Sequence, residues 1–134
     1  VENTTMPNNP EFQDFGEIVL KSESGHGYIR VDWFTPNGLP TWGDGRLFLQ
    51  GTEGHIELRK YTDIGRPHVT NSLFLVNGDK NELIPCDDAG RPYFPRIIAD
   101  VQDRTETAVS QTHTFTTMDL AIRSQMMAEG VATC

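Results

Sequence analysis

Basic residues are scarce in this sequence: 11 Lys and Arg stand against 19 Asp and Glu, a formal net charge of −8 at pH 7. Nucleic acids and anionic membrane surfaces are held chiefly by clustered cations, so this balance argues against both as partners. Cysteine is nearly absent. Cys86 and Cys134 show no CxxC spacing, and Cys134 is the last residue, which excludes a disulfide scaffold. No apolar run approaches the roughly 20 residues that a membrane helix needs. Residues 1–10 also lack the basic-then-apolar order of a secretion signal, so a soluble, cytoplasmic protein is expected. A phosphate-binding loop is missing too. Gly25-His26-Gly27 has Arg30 where a dinucleotide fingerprint needs its third glycine, and a strand pattern follows instead of a helix. His26, His55, His68 and His113 fall in no metal-binding spacing, so no metal site is expected. No Ser-His-Asp order or nucleophile elbow can be assembled either.

What is present is enough to fold. With 134 residues, 37% hydrophobic, and seven Phe, three Tyr and two Trp in separated segments, the chain suits one domain with a core and is too short for a dinucleotide domain plus a substrate domain. It starts at Val1 and runs almost at once into a strand pattern, which reads as a fragment boundary or a processed end. After an irregular lead-in over residues 1–11, strands are predicted over 15–21 and 26–34. The second places Ile29, Val31 and Trp33 on one face and Tyr28, Arg30, Asp32 and Phe34 on the other. Further strands are predicted over 46–50, 55–60, 72–77 and 80–84. Gly51-Thr52-Glu53-Gly54 supplies a hairpin connection, and the apolar run Leu73–Val76 suggests a strand covered on both faces or a central one. From residue 85 onward the pattern turns helical. One helix is predicted over 94–108, with Pro95 in its first turn, and another from 116 or 117 to 129, stopped by Gly130. Strands grouped first and helices last predict an α+β domain over 1–134: an open, mainly antiparallel sheet of about six strands with two C-terminal helices on one face.

The local run with most chemical content is Trp42-Gly43-Asp44-Gly45-Arg46. A carboxylate and a guanidinium flanked by glycines can satisfy the hydroxyls of a polyol, and an indole offers it a stacking face. The same residues also make a structural Asp-Gly turn with Trp42 packed at a sheet edge and Arg46 paired to a nearby carboxylate. His113 joins Trp42, Asp44 and Arg46 as a candidate substrate-binding residue because it lies just before the last predicted helix. A capping or packing role is the alternative. Asp100, Asp103, Arg104 and Glu106 read as a solvated, partly self-paired helix face, and Met118, Met126 and Met127 as core or interface filling.

Several runs carry a resemblance. Residues 27–36 (Gly-Tyr-Ile-Arg-Val-Asp-Trp-Phe-Thr-Pro), the Trp-Gly-Asp-Gly-Arg run at 42–46, the Gly-Thr-Glu-Gly hairpin with its strand over 51–60, and Asp103-Arg104-Thr105-Glu106 resemble the C-terminal domain of Gfo/Idh/MocA oxidoreductases. The likeness runs from about Phe15 to Ala128. It implies a parent with an N-terminal Rossmann domain holding NAD or NADP, sugars, inositols or related polyols as substrates, and an open sheet that floors the substrate site and joins subunits into a homodimer or tetramer. The family's Glu-Lys-Pro and Asp-xxx-His motifs, which carry catalysis, do not occur here. No catalytic or cofactor-binding residue is therefore expected in this chain, which by itself should be inactive and bind no cofactor. The competing class is a non-catalytic binding or assembly module that keeps the sheet without a cofactor domain.

Overall fold

The computed structural model describes residues 1–66, 68–86 and 88–131. The elements run β1 (Phe15–Lys21), β2 (His26–Asp32), β3 (Gly45–Gln50), β4 (Gly54–Lys60), β5 (Asn71–Asn77), β6 (Asn81–Ile84), α1 (Tyr93–Asp103) and α2 (Gln111–Ala128). This is the expected α+β order of antiparallel strands followed by two helices. The strands divide between two sheets, β1-β2 and β3-β4-β5-β6. The residues between β2 and β3 include Pro36 and Pro40, which cannot donate to a ladder. The chain forms two compact units, one of Val1–Phe34 with Arg91–Cys134 and one of Thr35–Gly90.

In the first unit, Ser22 closes the β1-β2 hairpin: its amide donates to the Gly25 carbonyl at 2.9 Å and its hydroxyl accepts from the Gly25 amide at 3.1 Å. The register pairs Ile18 with Ile29 and Gly16 with Val31, so Ile18, Leu20, Ile29 and Val31 share one face as the alternation predicted. On the other face the Tyr28 hydroxyl donates to Glu17 at 2.9 Å. The lead-in is organised by Asp14, whose carboxylate accepts from the amides of Thr4 and Thr5 at 2.8 and 2.6 Å.

Both helices depart from their predicted bounds. α1 stops at Asp103 because Arg104 turns left-handed (φ 54°) and its amide returns to the Asp100 carbonyl. The Asp100 carboxylate then gathers the hydroxyls of Thr105 and Thr107 and the amides of Thr107 and Ala108, all at 2.7–2.8 Å. Asp100 is accordingly buried, and Arg104 and Glu106 lie outside the helix, which corrects the reading of a single solvated helical face. α2 starts earlier than predicted because Ser110 is its N-cap and accepts from the His113 amide at 3.1 Å. Thr116 and Thr117 sit inside the helix, their hydroxyls bonded back to carbonyls one turn earlier. Its end is a Schellman turn: Gly130 has φ 71°, and the amides of Gly130 and Val131 reach the carbonyls of Met127 and Met126.

In the second unit β5 lies between β4 and β6, the central position, one of the two that its apolar run suggested. The register aligns Leu47, Leu58, Leu73 and Ile84 across all four strands, with Leu49, Ile56 and Leu75 in the adjacent row on the same face. The opposite face carries Arg46, Phe48, Glu57, Arg59, Ser72 and Phe74. Among the described residues no hydrophobic side chain is buried; the buried ones are Asp14, Thr62, Asp63, Ser72 and Asp100.

Gly54 fixes how β4 meets β5. A Cβ at that position would stand 2.2 Å from the Val76 carbonyl oxygen, a backbone atom that cannot swing aside. Gly54→Ala should therefore destabilise the chain by about 2 kcal/mol in denaturant unfolding. Gly78→Ala, where a Cβ meets open space, should change stability by less than about 0.5 kcal/mol. Equal effects would show that the close approach does not constrain the sheet.

Candidate functional site

Asp44 directly precedes β3 and Arg46 is its second residue, so the two side chains, two positions apart, lie on the same side of the chain. The Arg46 guanidinium grips one carboxylate oxygen, Asp44 Oδ2, through Nε at 3.0 Å and an NH2 nitrogen at 2.8 Å. The Arg46 side chain is 53% exposed and that of Asp44 28% exposed. Trp42 is 81% exposed, and the Arg46–Asp44 pair is the pairing that the structural alternative for this run expects. The pair presents its remaining donors and acceptor beside an exposed indole, a set that suits a ligand carrying adjacent hydroxyls.

His113 lies in the other compact unit, inside the first turn of α2 and not before it. Its backbone does the local work: the amide donates to Ser110, and the carbonyl accepts from Thr117 at 2.9 Å. Its side chain is exposed. Trp42, Asp44 and Arg46 are thus brought together within one unit, with His113 in another. Among the described residues no three of His, Cys, Asp or Glu gather as a metal site, and no helix is long and apolar enough to cross a membrane.

Sequence reasoning missed the polar cluster after β4. Asp63 is buried and receives Arg66 through Nε and NH2 at 2.9 and 2.6 Å, Arg59 through NH1 at 3.3 Å, and the Gly65 amide at 3.0 Å. Arg66 also donates to the buried Ser72 hydroxyl at 2.9 Å, and Arg59 to Glu57 at 2.7 Å. Both guanidinium carbons stand 5.2 Å from the centre of the Phe74 ring, a cation–π distance. Tyr61 enters this connection with a left-handed backbone, φ 72°. For a bulky residue that conformation is an outlier, held here by the buried Thr62 and Asp63 that follow it. The available signal was Asp63-x-Gly65-Arg66, an acid able to cap its own turn with a matching cation three residues on.

The Arg66 hydrogen bonds hold the Asp63 carboxyl below its usual range; burial opposes the shift, and the Gly65 amide and the charges of Arg66 and Arg59 reinforce it. Asp100 is held far below that range by the Thr105 hydroxyl and then the Ala108 and Thr107 amides. At Asp14, burial pushes upward, but the Thr5 hydroxyl and the Thr4 and Thr5 amides together outweigh it and lower the value. A general acid or base works best with a value near the working pH, and shifts in this direction move all three carboxylates away from it.

These shifts carry a pH dependence with a definite sign. A carboxyl whose folded value lies below its ordinary 3.8 stabilises the fold fully above that pH, and the contribution is lost as pH falls through the folded value. Thermal unfolding followed from neutral pH into acid should therefore show a falling Tm below about pH 4. Asp63→Asn should lower Tm at neutral pH and flatten that acid slope; an unchanged slope would remove Asp63 from the account.

No protein-family model and no curated protein matches the chain. A solved structure does. The chain is similar to that of a "putative oxidoreductase" from Erwinia carotovora atroseptica SCRI1043, with 46% sequence identity and a TM-score of 0.84 over 92% of its own length. It spans 38% of the length of that protein.

Proposed function

We propose that this chain is the C-terminal, substrate-side domain of an NAD(P)-dependent oxidoreductase of the Gfo/Idh/MocA type that acts on a sugar, inositol or related polyol in the cytoplasm. The observation that carries the reading is the 46% identical match over 92% of this chain to a region making up 38% of an oxidoreductase-like chain. The runs at 27–36, 42–46 and 51–60 direct it to that family. In this reading the parent's other domain holds NAD or NADP. β1 to β5 each lead to another strand, and the sequence from β6 to α1 has the single Gly90 and no Gly-x-Gly run of the kind that cradles a pyrophosphate. No step of hydride transfer is assigned to side chains of this chain.

Its own residues bind and orient. Arg46, held by Asp44, offers fixed N–H donors to substrate oxygens; Asp44 accepts from a hydroxyl through its second oxygen; Trp42 walls the site. His113, exposed in the first unit, is a separate candidate for binding substrate. In the protein joined to its cofactor domain, Arg46→Ala and Asp44→Ala should each lower kcat/KM for a polyol substrate by about tenfold, with folding intact. His113→Ala is the separate arm, expected to lower kcat/KM and leave Tm unchanged. Unchanged kcat/KM in the Arg46 and Asp44 variants would reject the substrate role of the loop.

The open sheet supports a second part of the proposal, self-association into a dimer or tetramer. Leu47 and Leu49 are 50% and 51% exposed on a face that also carries Ile56, Leu58, Leu73, Leu75 and Ile84, with Glu82, Lys60, Asn71 and Asn77 toward its margins. Contiguous apolar surface of this kind is uncommon on monomers, and an isologous contact buries the same patch twice and closes. Sedimentation at micromolar concentration should give a species of at least twice 15.0 kDa, weakened by Leu47→Lys. A monomer of 15.0 kDa would overturn the interface.

A further inference from the structure

We propose that the face of the β3–β6 sheet bearing Arg59 and Arg66 is an oxyanion site, taking the carboxylate or phosphate group of a small molecule on the outward edges of those two guanidinium groups. The proposal is independent of the substrate role given to Trp42, Asp44 and Arg46. It begins with orientation. Arg59 and Arg66 bind the two different oxygens of one carboxylate, Asp63, and both lie over the same Phe74 ring. Glu57 restrains Arg59 and Ser72 restrains Arg66. Two long side chains that normally sample many rotamers are thereby fixed next to each other, so the ordering cost of gripping a ligand is already met.

The charges are layered. The Asp63 side chain is 4% exposed, whereas those of Arg59 and Arg66 are 31% and 35% exposed, so the acid lies beneath and the guanidinium groups meet solvent. Each guanidinium carries five N–H donors and no acceptor. Arg59 uses Nε on Glu57 and NH1 on Asp63, and its NH2 group has no partner among the described residues. Arg66 uses Nε and NH2 on Asp63 and Ser72, and its NH1 group has none. Two neighbouring groups that only donate recognise a ligand that only accepts: the oxygens of a carboxylate or phosphate.

Asp63 and Glu57 cancel the formal charge of Arg59 and Arg66, so recognition rests on directed donors and not on a net positive field. The formal charge of −8 over the chain disfavours a polyanion, which limits the ligand to one or two anionic groups. Affinity for an isolated ion should accordingly be on the order of millimolar.

The test is a titration of the intact chain, followed by NMR of the arginine Nε–H groups, with inorganic phosphate, with acetate, and with chloride at matched ionic strength. Phosphate or acetate should give saturable shifts at Arg59 and Arg66 that chloride does not reproduce. Saturation by phosphate alone identifies a phosphoryl ligand, and saturation by acetate a carboxylate ligand. Arg59→Lys, which keeps the charge and loses the planar fork, should weaken binding roughly tenfold. Because the wild-type titration reads the site directly, the result does not depend on that variant folding. Shifts that track ionic strength alone, shifts away from Arg59 and Arg66, or equal affinity in a folded Arg59→Lys chain would each overturn the proposal.

Discussion

Three ionised carboxylates, Asp14, Asp63 and Asp100, hold this structure's connections in shape. Each is buried, and each is surrounded by N–H or O–H groups from residues close in sequence: Thr4 and Thr5, Gly65 and Arg66, Thr105 to Ala108. A buried carboxylate without such partners would be very costly, whereas one fully supplied with donors fixes the backbone that supplies them. The lead-in against β1, the long connection between β4 and β5 and the turn between the helices all take their shape from this single device.

Apolar burial, normally the largest favourable contribution to folding, is left unfinished. Val31 is 66% exposed, Ile98 58%, Val101 77%, Phe115 68% and Met127 70%. These five lie in the first unit, and Leu47 and Leu49, 50% and 51% exposed, show the same in the second; large contiguous apolar patches are uncommon on monomers. The similarity to a protein of which this chain spans 38% is consistent with that physical reading. Order within each unit then comes from backbone ladders, carboxylate caps and cation–π contacts, all of which can be satisfied without a closed core.

Asp44 with Arg46, and Asp63 with Arg59 and Arg66, use the same chemistry beside one sheet: an acid pairs with a guanidinium and restrains it. The difference is burial. The Asp44 side chain is 28% exposed, whereas that of Asp63 is 4% exposed, sealed beneath its arginines and also bonded to the Gly65 amide of its own turn.

The sequence by itself determined the strands and their faces. Alternation at Ile29 and Val31 and the glycine-bounded turn at 51–54 report period and turn chemistry, which act over a few residues. For β5 it left a strand covered on both faces or a central one, and the strand order shows the central position. Helix ends were not legible in this way. The predicted helix over 94–108 continued the apolar spacing past Arg104, while the real one ends where Asp100 finds four donors that lie beyond the helix. Only the tertiary structure decided that Asp100 and Asp63 are buried, that Arg59 and Arg66 share one carboxylate and one aromatic ring, and that Trp42 is exposed. Those facts depend on which groups the folded chain brings within 3 Å of one another and which it shields from water, and residue spacing alone encodes neither.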